Sequence, residues 1–491
     1  MTDMPGRKTA VSGRLELPLL WTIGMAATVF LIARKVEGAP EYGRVFNVML
    51  ERLLHGQVDM PASVIGGEAF VYKGRTYAYF GLFCALLRAP LLLFGRMDLD
   101  VTKASMIVAA GLSLGARLCA MRLALLRAEG LTRELRLLLL IFTAFAGESL
   151  QYLRPSIYQE VCSWGAALAA LFVLLAVRRL VGARPRVVLL YAGMAVTAGL
   201  ALLCRVSFGV GLYTALGLML AVEAWRGRLR PATLKALAPA ALILALFLGV
   251  AGAINQARWD NPLAFVPIRY QLGQQQQAPD RVERLRRYGE TSVLRIPFAL
   301  QYYFTPVWEL QDGAGRLLFQ QIQLDLFDSV ELPPASFFLS DPIAYLLAAL
   351  GVFTLVRRRT RAPEPALAGA ALLGLALPAG VMLMAISLTY RYRMDFYPAL
   401  DFAALIGAAS LRLKPSAVQA RSMLYLGLVG AVVSLLDLTA SSYAVFGPAL
   451  DLDLRGGWIA PLVKVSKGQN PYIGHLMPDG RRVNPPIQPP R

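Results

Sequence analysis

The sequence predicts an all-α polytopic membrane protein with about eleven transmembrane helices and interfacial helices in its first external loop. Three observations predict it. The 491 residues are 56% hydrophobic and only 16% charged, against about 25% charged in an ordinary soluble domain. Apolar stretches long enough to cross a bilayer recur along most of the chain. The basic residues gather in short clusters between those stretches, as cytoplasmic loops facing anionic lipid do. The net charge of +19 therefore belongs to loops beside a bilayer, and nucleic acid is not implied as a partner.

Residues 1–16 form a cytoplasmic N-terminus, because Arg7, Lys8 and Arg14 precede the first apolar run. Residues 17–33 cross outward, and the lack of a small-residue cleavage site makes them a span rather than a signal peptide. The first external loop is 34–102. Within it Val45, Val48, Met49 and Leu53 recur at helical spacing, and 79–95 reads as a helix on the outer leaflet with Arg88 snorkelling to the interface. Were 79–95 a span, every later loop would invert, placing VRRLVGARPR, EAWRGRLRP and VRRRTR outside. With 79–95 at the interface, the basic stretches 122–136, 178–186, 226–235, 357–361 and 412–421 all fall inside.

Outside then lie 147–160, the turn 205–208, a long insertion at 255–342 and the decapeptide 389–398. The insertion, rich in Gln and Arg, reads as short amphipathic helices within a transmembrane module of residues 17–440. Residues 441–491 read as a small extracytoplasmic tail. No internal repeat or phosphate-cradling GxxxxGK motif is present, so ATP-driven transport finds no support in the chain. Cys84, Cys119, Cys162 and Cys204 lie in apolar segments and read as small core residues. His55 and His475 are too few and too far apart for a zinc site or a triad.

The decapeptide TYRYRMDFYP is the exception to the charge bias. Arg391 and Arg393 lie on the outer side while most arginines lie inside. A guanidinium fork matches phosphate oxygens better than an ammonium does, so this pair reads as a grip on a lipid phosphate, with Tyr390, Tyr392 and Tyr397 as hydroxyl donors or stacking faces. Asp395 pairs with one arginine, which also allows a self-neutralised surface loop. Arg205, at a membrane exit, reads as a further phosphate ligand or a snorkelling anchor. In the first loop, Glu41 stands just past a span and just before an amphipathic segment, well placed for general-base work on a lipid-borne substrate.

The order of these pieces resembles the GT-C superfamily of integral-membrane glycosyltransferases, which take sugars from polyprenyl-phosphate donors. The matching residues are Glu41-Tyr42, Leu53-Leu54-His55-Gly56, Gly74-Arg75-Thr76-Tyr77 and the run 89–95, with RPSIYQEVCSWG and LLCRVSFGVGL further on. The chain departs from the superfamily in carrying Pro40-Glu41 where Asp-Glu or Asp is common. Glu41 is the first candidate for the base, with Glu37 and Glu68 in reserve.

The resemblance implies a GT-C-like fold, Arg391, Arg393, Tyr392 and Arg205 on the donor phosphate, and Tyr42, Tyr77, Glu148, Arg154, Tyr158, Glu160 and Asp395 around the substrates. No cofactor is required; a divalent metal is compatible with such chemistry but not indicated. The partners it implies are a polyprenyl-phosphate sugar, a glycan, lipid or protein acceptor, and the bilayer, with the site on the extracytoplasmic face of a bacterial inner membrane. Two other readings stay open: a lipid-linked oligosaccharide transporter, which would hold charge at mid-span, and a polysaccharide polymerase or ligase, which the long external insertion would suit.

Overall fold

The chain is described here by a computed structural model that covers residues 7–33, 42–148, 152, 155–182, 186–265, 267–271, 279–304, 326–330, 336–357, 362–413, 416–446, 475–476 and 482–483. In chain order its main helices are α1 (Arg7–Ala33), α2 (Val45–Leu54), α3 (Thr102–Leu125), α4 (Arg133–Ala144), α5 (Ile157–Val181) and α6 (Val187–Cys204). They continue with α7 (Val206–Arg226), α8 (Pro231–Trp259), α9 (Pro342–Arg357), α10 (Pro365–Leu383), α11 (Tyr397–Ala409) and α12 (Ala417–Phe446). Seven of them, α1, α3, α5, α6, α7, α8 and α10, are long and apolar enough to cross a membrane. α4, α9, α11 and α12 stand where the sequence predicts further spans, but α4 and α11 are only 12 and 13 residues long. The protein is a helical, polytopic membrane protein.

Local sequence sets the helix ends. The Ser156 hydroxyl caps α5 by accepting the Tyr158 N–H. Pro231 and Pro365 open α8 and α10, positions where proline loses no hydrogen bond. Asp260 ends α8 in a left-handed conformation. α5 is the central pillar, 78% of its apolar window being buried inside the protein, whereas α8 keeps all but 17% of its own turned outward. Small residues let the helices close: a Cβ added to Gly351 would lie 2.0 Å from the Ala403 carbonyl, and one on Gly407 1.9 Å from that of Leu347. α9 and α11 therefore touch backbone to backbone, the contact that replaces hydrophobic drive inside a bilayer.

The two ends of the bundle agree with the charge pattern. At one end Arg226 pairs with Glu364 at 2.6 Å, Arg412 with Glu129 at 2.9 Å and Arg133 with Glu16 at 2.8 Å, joining segments predicted to be inside. At the other end the first loop, the α6–α7 turn and the decapeptide meet.

That first loop carries α2, an antiparallel hairpin of β1 (Phe70–Tyr72) and β2 (Arg75–Tyr77), and two short helices, Phe83–Leu86 and Ala89–Leu93. Lys73 and Gly74 turn the hairpin with positive φ. The 11 residues of 83–93 rise only about 16 Å, too little to span, in keeping with an interfacial element. Arg88 does not snorkel, however. It is fully buried, donating to both oxygens of Glu160 at 2.6 and 2.8 Å and to Asn47 Oδ1 at 3.2 Å. A bidentate carboxylate inside the protein outcompetes the hydrated interface, and the pair pins the loop to the top of α5.

The described part of the insertion forms short helices, Pro279–Tyr288 and Ile296–Phe304 among them. Ser329–Val330 then pairs in parallel with Ser387–Leu388, directly before the decapeptide.

Candidate functional site

The decapeptide folds as a 3-10 turn over Tyr390–Asp395. With three residues per turn, side chains two apart point about 120° from one another. Arg391 and Arg393 are therefore sent to different places. Arg393 goes inward: it is buried, donates to the Ser340 hydroxyl at 2.6 Å, lies 3.6 Å from Asp341 and sits 4.0 Å over the Phe337 ring. The expectation that both arginines grip one phosphate is corrected by this geometry. Arg391 goes outward, over the ring of Tyr158 at 4.4 Å.

The second guanidinium beside Arg391 is that of Arg205. The chain is extended at Arg205 between α6 and α7, which frees its side chain to reach across to the decapeptide. It pairs with the fully buried Asp395 at 2.7 Å and lies 5.4 Å over the Tyr392 ring, while the Ser207 hydroxyl also donates to Asp395. Asp395 thus pairs with an arginine outside its own loop and fixes its direction.

Arg391, Arg205, Tyr392, Tyr158 and Ser207 form the polar end of a cavity of about 550 Å³. Its remaining walls are largely apolar, with Val210, Phe265, Leu377, Val381 and Met382 among them, and among the described residues Glu290 is the only acidic one lining it. Tyr79, Phe80 and Gly81 bring the first loop to the same space. Gly81 is needed there, since a Cβ would stand 2.1 Å from the Leu203 carbonyl at the end of α6. A further enclosed space of about 40 Å³ beside Arg117 and Asp401 has room for little more than water.

Glu68 follows from the first loop. Its carboxylate accepts from Gln271 Nε2 at 3.3 Å and interacts with the Tyr158 hydroxyl, so one tyrosine links it to Arg391. Tyr42 packs on Gly66 beside it. Partial burial raises the Tyr42 phenol above its ordinary pKa, and the Glu68 charge adds to that; the same two causes act on Tyr79. Glu41, Glu37 and Arg154 lie outside the described residues, and Glu41 is one peptide bond from Tyr42.

The other sequence candidates are not on the cavity wall. Tyr77 is buried against Trp259, ring centroids 5.1 Å apart, and holds the hairpin to α8. Glu160 is committed to Arg88. Glu148 accepts from Arg117 at 2.6 Å and from Ser113 at 3.0 Å, and Arg117 also binds Asp401. These are fastenings between helices. Among the described residues, no three His, Cys, Asp or Glu side chains group closely enough to hold a metal ion. Sequence reasoning missed Tyr79, Ser207 and Glu290. Glu290 stands among the other charges of the insertion, with no periodicity or motif to single it out.

No protein-family model matches the sequence, and no curated protein matches it. Solved structures do. The chain aligns with the apo oligosaccharyltransferase of Archaeoglobus fulgidus at a TM-score of 0.50 and 13% identity, over 88% of its own length and 56% of that protein's. Its fold is of the GT-C type. The chain spans little more than half of that transferase. Looser likenesses are to the same organism's AglB in complex with an inhibitory peptide and a dolichol-phosphate (TM-score 0.46, 14% identity, 87% of this chain and 56% of that one) and to ArnT from Cupriavidus metallidurans bound to undecaprenyl phosphate (0.41, 14%, 94% and 75%). On this GT-C fold the cavity lies where the first loop, the α6–α7 turn and the decapeptide converge.

Proposed function

We propose that the protein is a membrane glycosyltransferase that moves a sugar from a polyprenyl-phosphate donor to a lipid, polysaccharide or protein acceptor on the extracytoplasmic face of a bacterial inner membrane. The observation that carries the reading is the cavity itself: two guanidiniums at one end, apolar walls beyond them, and a first-loop carboxylate one tyrosine away. A polyprenyl phosphate has that same division, a charged head on a hydrocarbon chain. The GT-C fold shared with an oligosaccharyltransferase supports the reading.

The chemistry follows from the groups present. The donor's anomeric carbon is bonded to a phosphate oxygen. An acceptor hydroxyl attacks that carbon while a carboxylate takes its proton, and the carbon–oxygen bond to phosphate breaks with its electron pair leaving on the phosphate. Arg391 and Arg205 stabilise the charge gathering on the departing polyprenyl phosphate. Glu68, from its place beside Tyr158, or Glu41, next to Tyr42, takes the proton. Tyr392 and Tyr158 supply hydroxyls to the phosphate and sugar.

The test is to reconstitute the purified protein in lipid nanodiscs with a panel of polyprenyl-phosphate monosaccharides and an extracted envelope acceptor fraction. Consumption of a donor with release of polyprenyl phosphate is expected, and its loss in Arg391→Ala. Transbilayer movement of intact donor without cleavage would sink the reading in favour of a carrier.

A further inference from the structure

Glu290 faces the cavity from the side of the insertion, and its mounting is unusually firm. Gly289, with φ +70°, turns the chain out of the helix Pro279–Tyr288. The fully buried Arg295 then donates to four backbone carbonyls: Gly289 at 2.9 Å, Glu290 at 3.1 Å, Leu326 at 2.9 Å and Met384 at 3.2 Å. Two of these charge-assisted bonds hold the backbone that carries Glu290, and the one to Met384 ties it to the end of α10. The carboxylate itself is left exposed to the cavity. It interacts with the Ile268 backbone N–H and with the charge of Arg269. The Arg205 guanidinium is instead paired with Asp395.

The cavity wall therefore carries groups of opposite charge on different elements, a guanidinium pole from the α6–α7 turn and the decapeptide and a carboxylate from the insertion. A bare lipid phosphate uses only the guanidinium pole, and a carboxylate sharing its cavity is a like charge that weakens its binding. A ligand that carries hydrogen-bond donors beyond its phosphate uses both. A monosaccharide does so, since its hydroxyls can donate in pairs to the two oxygens of a carboxylate.

We propose that Glu290 is a ligand of the donor's sugar: its carboxylate accepts hydrogen bonds from hydroxyls of the sugar and makes the protein prefer the glycosylated lipid over the bare polyprenyl phosphate. The proposal rests on the function given above, and the test separates the two.

Full-length wild type, Glu290→Gln, Glu290→Ala and Arg391→Ala are placed in nanodiscs. Each displaces a fluorescent polyprenyl monophosphate with unlabelled polyprenyl monophosphate and with hexosyl and pentosyl polyprenyl phosphates. Wild type is expected to prefer one glycosylated lipid to the bare one. Both Glu290 variants are expected to bind that lipid about 10- to 100-fold more weakly while holding the bare lipid as tightly as wild type or more so. Retained bare-lipid binding shows that the variants are folded. Equal weakening for both lipids, no change for either, or a wild type indifferent to the sugar overturns the role of Glu290. Failure of wild type to bind any polyprenyl phosphate overturns the function itself, and so does an Arg391→Ala protein that binds every lipid normally.

Discussion

Arg391 and Arg393 leave the same turn two residues apart and meet opposite surroundings. Arg393 is enclosed by Ser340, Asp341 and the face of Phe337, its charge compensated within the protein. Arg391 stands against Tyr158 on the wall of a cavity that can admit a ligand. A buried charge is expensive and so suggests function, but the bundle contains several that serve as fasteners: Arg88 with Glu160, Arg117 with Glu148 and Asp401, and Arg393 with Asp341. What separates a grip from a fastener is where the side chain ends, on a cavity or within the packing.

The comparison can be broken at several points. The largest effect is expected at the base. Of Glu41→Gln and Glu68→Gln, one should lower turnover by about 10²- to 10⁴-fold with donor binding unchanged, and the other by far less. If neither does, the first loop does not supply the base. Next comes Arg393→Ala, which leaves Asp341 buried and short of its cation. It should cost about 3–5 kcal/mol, seen as a lower melting temperature in detergent. An Arg393→Ala protein with normal melting and weakened donor binding would place this arginine on the ligand after all.

Arg391→Ala should show the reverse pattern, with melting nearly unchanged and polyprenyl-phosphate affinity reduced about 10- to 100-fold through loss of a charged hydrogen bond. The smallest effect is expected from an exposed pair, Lys73 with Asp260, where the hairpin meets the end of α8. Lys73 holds the Asp260 carboxyl below its ordinary pKa, and Asp260 raises that of Lys73. The contribution of the pair is present between the ordinary Asp and Lys values, roughly pH 4 to pH 10. It fades as pH falls through the depressed Asp260 value or rises through the elevated Lys73 value. Asp260→Asn should flatten that small pH dependence of the melting temperature and leave activity alone. A drop as large as that of Arg393→Ala would erase the distinction between exposed and buried pairs.

Much of the fold was legible because the bilayer imposes a one-dimensional rule. Hydrocarbon length fixes the apolar runs, and the lipid charge fixes which loops collect arginine. The interfacial reading of 79–95 came from that rule, and so did the grouping of the first loop, 205–208 and 389–398 at one end. Of the candidate site, Arg391, Arg205, Tyr392, Tyr158 and Glu68 were all named from sequence, since each combines a predicted outer-end position with a residue type suited to phosphate or proton chemistry.

The amino-acid sequence by itself determined which segments are apolar enough to lie in lipid and which end of the bundle carries the unusual charges, because both depend only on local composition summed along the chain. Which charges face a ligand was decided by tertiary structure. A 3-10 turn at 390–395 splits Arg391 from Arg393, Glu160 is taken by Arg88 from a loop 72 residues earlier, and Asp395 reaches back 190 residues to Arg205. Pairings over such distances depend on the directions of side chains in the assembled bundle, which neither hydropathy nor spacing encodes.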